Sequence, residues 1–331
     1  MCNAAFDRLL APALIHPANC SLCSTMNLES VSNALSASMR RLALLLVAFL
    51  TTGALEVEVH GQIVGGTCKF DIAELTFVGT PVEQAACLLR APRKWGQLSA
   101  QSVILPDVLK TRIGQPTSIP KAMLRNHLRS MGLTDSIIGG SLDEPLSRGR
   151  DNDAAAPMAR YFVIHDTSAP YFGNAPFPRN IDTDPGINRL EAYAGAEAVA
   201  HAFINRTGHI LIGHPFSTPW RATQLESTVI LEPSKGLFIH VENIQPRRRD
   251  PKDGPKNDAI APARGLSDAQ YRSLTLLYVV ASVRAGQWLV PAFHATIDEG
   301  LPDSHDDPQN FDLGGKFAPA LQALIAQLTP N

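Results

Sequence analysis

The chain predicts an α/β fold, a mixed central β-sheet flanked by helices, led in by a small N-terminal accessory region. Three observations carry that expectation. Short apolar runs of strand length alternate with longer segments of helical period across residues 155–331. Two of the apolar runs, Arg160-Tyr-Phe-Val-Ile-His165 and Leu289-Val-Pro-Ala-Phe-His294, end in a histidine. A buried strand delivers a side chain to the rim of a sheet in this way. Just beyond the second run lies Asp303-Ser-His-Asp-Asp-Pro-Gln-Asn-Phe311, dense in imidazole and carboxylate. Two histidines and a carboxylate leave one position of a tetrahedral zinc open for water. The pattern therefore points to a single hydrolytic zinc site at the sheet rim rather than a structural one.

From the N-terminus, Met39-Arg-Arg-Leu-Ala-Leu-Leu-Leu-Val-Ala-Phe-Leu50 has a positive start and an apolar core, then breaks at Thr51-Thr-Gly-Ala54. That three-part pattern is a signal peptide over residues 39–54. The apolar run is shorter than the roughly 20 residues of a membrane span. Cleavage leaves no stable span, and an uncleaved anchor is the alternative. Residues 1–38 then read as an upstream extension, with Met39 as the true start. Their Cys20-x-x-Cys23 pair has no partner pair or nearby histidines and is a weak metal or redox signal. Beyond residue 54 only Cys68 and Cys87 remain. An even count in an exported chain favours one disulfide, against two free buried thiols.

Residues 62–150 form the accessory region, to which the sequence assigns no role. Short helices are expected at 82–90 and at 120–129, the latter with Met123, Leu124 and Leu128 on one face. Gly139-Gly140 and residues 148–157 read as loop. In residues 155–331, strands are expected at 161–164 and 237–242. A hairpin joins 202–205 to 210–212, with Gly208 at the turn residue needing positive φ. A helix over 267–284 opens on a capping box of Ser267 and Gln270 and buries Tyr271, Leu274, Tyr278 and Ala281. A last amphipathic helix over 317–328 faces the core through Leu321, Leu324, Ile325 and Leu328.

The 331 residues make one or two domains, and 45% hydrophobic content suffices for a core without disulfides. Net charge is −2. The densest basic run, Arg247-Arg248-Arg249, is followed at once by Asp250 and reads as a solvated loop, so nucleic acid is not an expected partner. Oligomeric state is not legible.

The motifs, taken together, resemble the type-2 N-acetylmuramoyl-L-alanine amidases, which share a fold with the peptidoglycan recognition proteins. The family's strand ending Ile-His-His-Thr is matched by Val163-Ile-His165-Asp166-Thr167. Its hairpin His-Tyr-x-Ile-Asp-Arg-Asp-Gly is matched by His201-Ala-Phe-Ile-Asn-Arg-Thr-Gly208. Its Trp-His-Ala-Gly segment is matched by Trp220-Arg221-Ala222-Thr223, and its Ile-Gly-Ile-Glu-Leu strand by Phe238-Ile-His-Val-Glu242. Its Thr-x-x-Gln helix start, Gly-His turn and Lys-x-Asp-Pro-Gly are matched by Ser267-Asp-Ala-Gln270, Phe293-His294 and His305-Asp306-Asp307-Pro308-Gln309. Residues 158–313 keep the motif order.

The resemblance implies helices packed on a mixed sheet. It also implies Zn2+ held by His165, His294 and Asp307, with Glu242 as general base. His305 stands where many members carry lysine and is expected to stabilise an oxyanion. His305 is alternatively the ligand, with Asp307 behind it, or Asp306 changes places with Asp307. His201 reads as structural, His209 and His214 as turn and loop, and His240 shares a strand face with Glu242. Arg221 and Asp166 depart from the family's histidines, which touches substrate contacts more than metal binding. The implied substrate is peptidoglycan or a muropeptide outside the cytoplasm, periplasmic or secreted. The competing readings are a non-catalytic muropeptide-binding module and a zinc peptidase cutting another wall-peptide bond.

Overall fold

The computed structural model describes residues 62–92, 97–194, 199–252 and 259–329; the expected signal peptide and the segment before it lie outside them. Three two-residue strands, β1 (Ile63–Val64), β2 (Phe70–Asp71) and β3 (Thr76–Phe77), pair antiparallel in sequence order. Helix α1 (Pro81–Leu88) follows. Thr80 caps it by accepting the N–H of Glu83, whose side chain reaches back to the Thr80 N–H, and Pro81 opens the first turn. Cys68 and Cys87 are joined by a disulfide, the expected pairing. Helix α2 (Lys121–Ser130) buries Leu124 and Leu128 and leaves Met123 half-buried.

Residues 62–150 share one continuous core with the sheet that follows. Phe77 sits edge-on to Tyr161 at 5.1 Å, and the Tyr161 hydroxyl accepts the Phe77 N–H at 2.8 Å. A buried phenol needs such a partner.

The central sheet is built from β4 (Tyr161–Asp166), β5 (Ala202–Ile204), β6 (Ile210–Ile212), β7 (Phe238–Asn243) and β10 (Val290–Phe293), in the order β10-β4-β7-β5-β6. All neighbours run parallel except the hairpin β5–β6, so the sheet is mixed as expected. The run Tyr161-Phe-Val-Ile164 is wholly buried, because a central parallel strand is covered on both faces. Gly208 turns the hairpin at φ +87°, and a Cβ there would meet the Ala269 carbonyl at 3.0 Å. The register then does the functional work. His165 pairs with Glu242, Val163 with His240, and Ile164 with Phe293. His165, Glu242 and His294 are thereby brought to one end of three adjacent strands.

Strands β8 (Arg248–Arg249) and β9 (Ala259–Ile260) form a separate ribbon. Helix α3 (Asp268–Ala285) carries the expected Ser267–Gln270 capping box and ends at Gly286 with φ +74°. The sequence predicts one buried face, but α3 is buried almost all round, Leu276, Val279 and Val283 included. It is a core helix, so its apolar residues need not keep to one side. A helical turn, α4 (His294–Ile297), follows β10 directly, and α5 (Ala318–Leu328) closes the described chain against α3, burying the four apolar residues expected. Among the described residues no helix is long and apolar enough to cross a membrane.

Candidate metal centre

His165 stands near the end of β4, His294 opens α4, and Asp307 lies on the loop beyond; all three are buried. One donor atom from each falls within 4.8 Å of the others. The two imidazoles face each other with Nδ1 atoms 2.9 Å apart. Asp307 Oδ1 is 3.1 Å from His294 Nδ1, and its Oδ2 is 3.8 Å from His165 Nδ1. Two imidazole nitrogens and a carboxylate converging on one point form a group that could hold a metal ion.

Each ring's other nitrogen is engaged away from that point. His294 Nε2 lies 2.8 Å from Asp298 Oδ2, and His165 Nε2 lies 3.0 Å from His240 Nδ1. A ligating histidine is normally oriented through its second nitrogen in this manner. Asp298 went unread in the sequence, although its spacing of four residues from His294 on a helical turn was a usable signal.

The electrostatics follow the packing. Burial holds His165 well below the ordinary imidazole range, helped by His294 and His240. Burial opposes charge on His294 too, but Asp307 and Asp298 overrule it and hold His294 well above that range. Asp307 sits well below the carboxylate range, because His294 outweighs its burial. Glu242 is pushed well above its ordinary value by burial, and further by the nearby charge of Asp307. Its side chain is 14% exposed, with Oε1 3.9 Å from His165 Nδ1 and Oε2 buried without a partner. Carboxylates crowded this way favour a cation between them.

Asp166 and Arg247 complete the wall. The Asp166 N–H donates to Asp307 Oδ2 at 3.0 Å, and its carboxylate accepts the Gln309 N–H at 3.1 Å. Arg247 pairs with that carboxylate at 2.8 Å, and both side chains are buried. Burial pushes Asp166 up to about 6 against the pull of Arg247. The basic run is therefore not a solvated loop as its composition suggests. Arg247 turns inward because Asp166 waits there, while Arg248 lies over the Phe177 ring.

The remaining expected residues fall around this group. His305 is 55% exposed, its Nδ1 3.6 Å from Asp307 Oδ1 and its ring 4.4 Å from that of His294. Asp306 faces Arg247 Nη2 at 3.8 Å, outside the converging set. His240 lines the site through His165. His201 accepts the His240 N–H at Nδ1 and meets the Thr218 carbonyl through Nε2, both at 3.0 Å, and burial lowers it to about 3. It is a neutral structural histidine. Trp220 stacks on His214 at 4.0 Å, and Arg221 reaches Glu232 at 3.1 Å.

No family model and no curated protein matches the chain. Among solved structures, it is similar to a selenomethionine derivative of AmpD at 20% identity and TM-score 0.31, over 51% of this chain and 85% of that one. It is also similar to two proteins of Clostridium intestinale URNW. One is the endolysin N-acetylmuramoyl-L-alanine amidase LysCS, at 16% identity and TM-score 0.28, over 56% of this chain and 91% of that one. The other is the N-acetylmuramoyl-L-alanine amidase LysC, at 15% identity and TM-score 0.27, over 56% and 93% respectively.

Proposed function

We propose that this chain is a zinc-dependent hydrolase that cleaves the amide between N-acetylmuramic acid and L-alanine in peptidoglycan or its fragments. The observation that carries the reading is the convergence of His165, His294 and Asp307 beside the unpartnered Glu242 carboxylate oxygen. The donor set fits zinc in number and kind, and the second nitrogen of each imidazole is held elsewhere. His165, His294 and Asp307 would hold zinc, which would polarise the scissile carbonyl and acidify an attacking water. Glu242 takes the proton of that water and passes it to the leaving nitrogen. His305, at the exposed side of Asp307, offers an N–H to the developing oxyanion. Asp166 and Arg247 hold the Asp307 carboxylate in place.

The substrate class rests on the motif resemblance over residues 158–313. In this reading residues 155–331 are the catalytic domain and residues 62–150 an accessory region that braces α4. Export to the periplasm or the outside rests on the pattern of residues 39–54 and the Cys68–Cys87 bond. The test is metal content: about one zinc per chain, lost together with turnover in His165→Ala and in His294→Ala. Full zinc occupancy in both variants rejects the ligand assignment.

A further inference from the structure

Glu226 has no role in the reading above, yet it is wholly buried. It sits on a single π-helical turn, Leu225–Ile230, a geometry that recurs at functional sites. Its Oε2 accepts the Thr223 hydroxyl at 2.9 Å and the Ala222 N–H at 3.2 Å, and lies 3.2 Å from His240 Nε2. His240 Nε2 has no other hydrogen-bond partner, and Glu226 Oε1 is likewise buried without one. A buried ring nitrogen left unpaired costs free energy, and the Glu226 carboxylate 3.2 Å away is the acceptor within reach of it.

We infer that Glu226 and His240 are positioning residues that fix the tautomer of His165. The inference rests on His165 being a metal ligand through Nδ1. Glu226 only accepts, so His240 must carry its proton on Nε2. His240 Nδ1 is then an acceptor, 3.0 Å from His165 Nε2. His165 must therefore carry its proton on Nε2, which leaves the Nδ1 lone pair free on the side of His294 and Asp307. The opposite order of protons would put a hydrogen on His165 Nδ1 and close it to a metal. The His240 backbone is pinned as well, since its N–H donates to His201 Nδ1.

Nitrogen-15 NMR of histidine-labelled full chain, loaded with zinc, reads the tautomers directly. Protons on Nε2 of both His165 and His240 are expected; a proton on His240 Nδ1 overturns the relay. Zinc affinity by competition with a fluorescent chelator gives the second measurement. Glu226→Met removes the acceptor and should weaken zinc binding roughly 10–100-fold. His240→Asn keeps an acceptor for His165 but cuts the link to Glu226, so Glu226→Met should add little in that background. Unchanged affinity in Glu226→Met, or losses that multiply in the double variant, overturn the relay while the zinc site stands. A wild-type chain that binds no zinc overturns the metal reading and the relay with it.

Discussion

Asp298 lies four residues beyond His294 on the same helical turn, with Oδ2 2.8 Å from His294 Nε2. The same carboxylate accepts the N–H groups of Gln224 and Leu225 at 2.9 Å, so it is fixed from a second segment of the chain. The ring of His294 is thereby turned with Nδ1 toward His165 and Asp307.

If that orientation matters, Asp298→Ala should weaken zinc binding by about 10–100-fold while the fold survives. Chelator competition measures it. Wild-type affinity in a folded Asp298→Ala protein would show that His294 needs no such support.

Glu242 is separable from the ligands. In the proposed reading its role is in proton transfer, worth typically ~10²–10⁴-fold in rate. Glu242→Gln should therefore retain zinc and bind muropeptide while turning over slowly. Near-normal turnover removes it from the chemistry, and lost zinc makes it a ligand.

Metal uptake should release protons. Burial opposes charge on His294, but Asp307 and Asp298 prevail and raise it, so the metal-free chain holds it protonated at neutral pH. Zinc must displace that proton. Affinity should rise about tenfold per pH unit until the raised value is passed, then level off. For folding of the metal-free chain the sign is the same group's. The stabilisation from charged His294 is full below the ordinary imidazole value of about 6.5 and is lost as pH rises through the raised one. Calorimetric titration in two buffers of different ionisation enthalpy counts the protons. Zinc binding near pH 7 without proton release contradicts this account.

Residues 62–92 brace α4. Glu299, just past that turn, pairs with buried Arg90 at 2.6 Å and accepts the Thr67 N–H at 2.7 Å. The Thr296 hydroxyl donates to the Leu88 carbonyl at 2.6 Å, and the Cys68–Cys87 bond closes the segment between them. Glu299→Ala leaves the Arg90 guanidinium buried and short of a partner, at a cost of about 1–3 kcal/mol. Cys68→Ser should cost about 2–4 kcal/mol. Denaturant unfolding of each variant checks these values, and wild-type stability in both would mean the brace carries no load.

Most of the fold could be read from local pattern. The capping box at Ser267 and the glycine at 208 act within a few residues, so the sequence displays them. His165 and His294 stood out because each ends an apolar run. What stayed hidden depends on register between distant segments. Arg247 looks solvated beside Arg248 and Arg249, and only the turn that brings Asp166 to it explains its burial. Glu226, on a π-helical turn, comes within 3.2 Å of His240 on β7, which no spacing announces. The nearly uniform burial of α3 likewise reflects its place between sheet and α5, not its own periodicity.

The most direct test is mass spectrometry of the products released from purified peptidoglycan by the full chain, with and without chelator. The account predicts free stem peptides beginning with L-alanine and glycan bearing unsubstituted N-acetylmuramic acid, with release abolished by chelation and restored by zinc. Peptides cut at another bond, or cleavage indifferent to chelation, would contradict it.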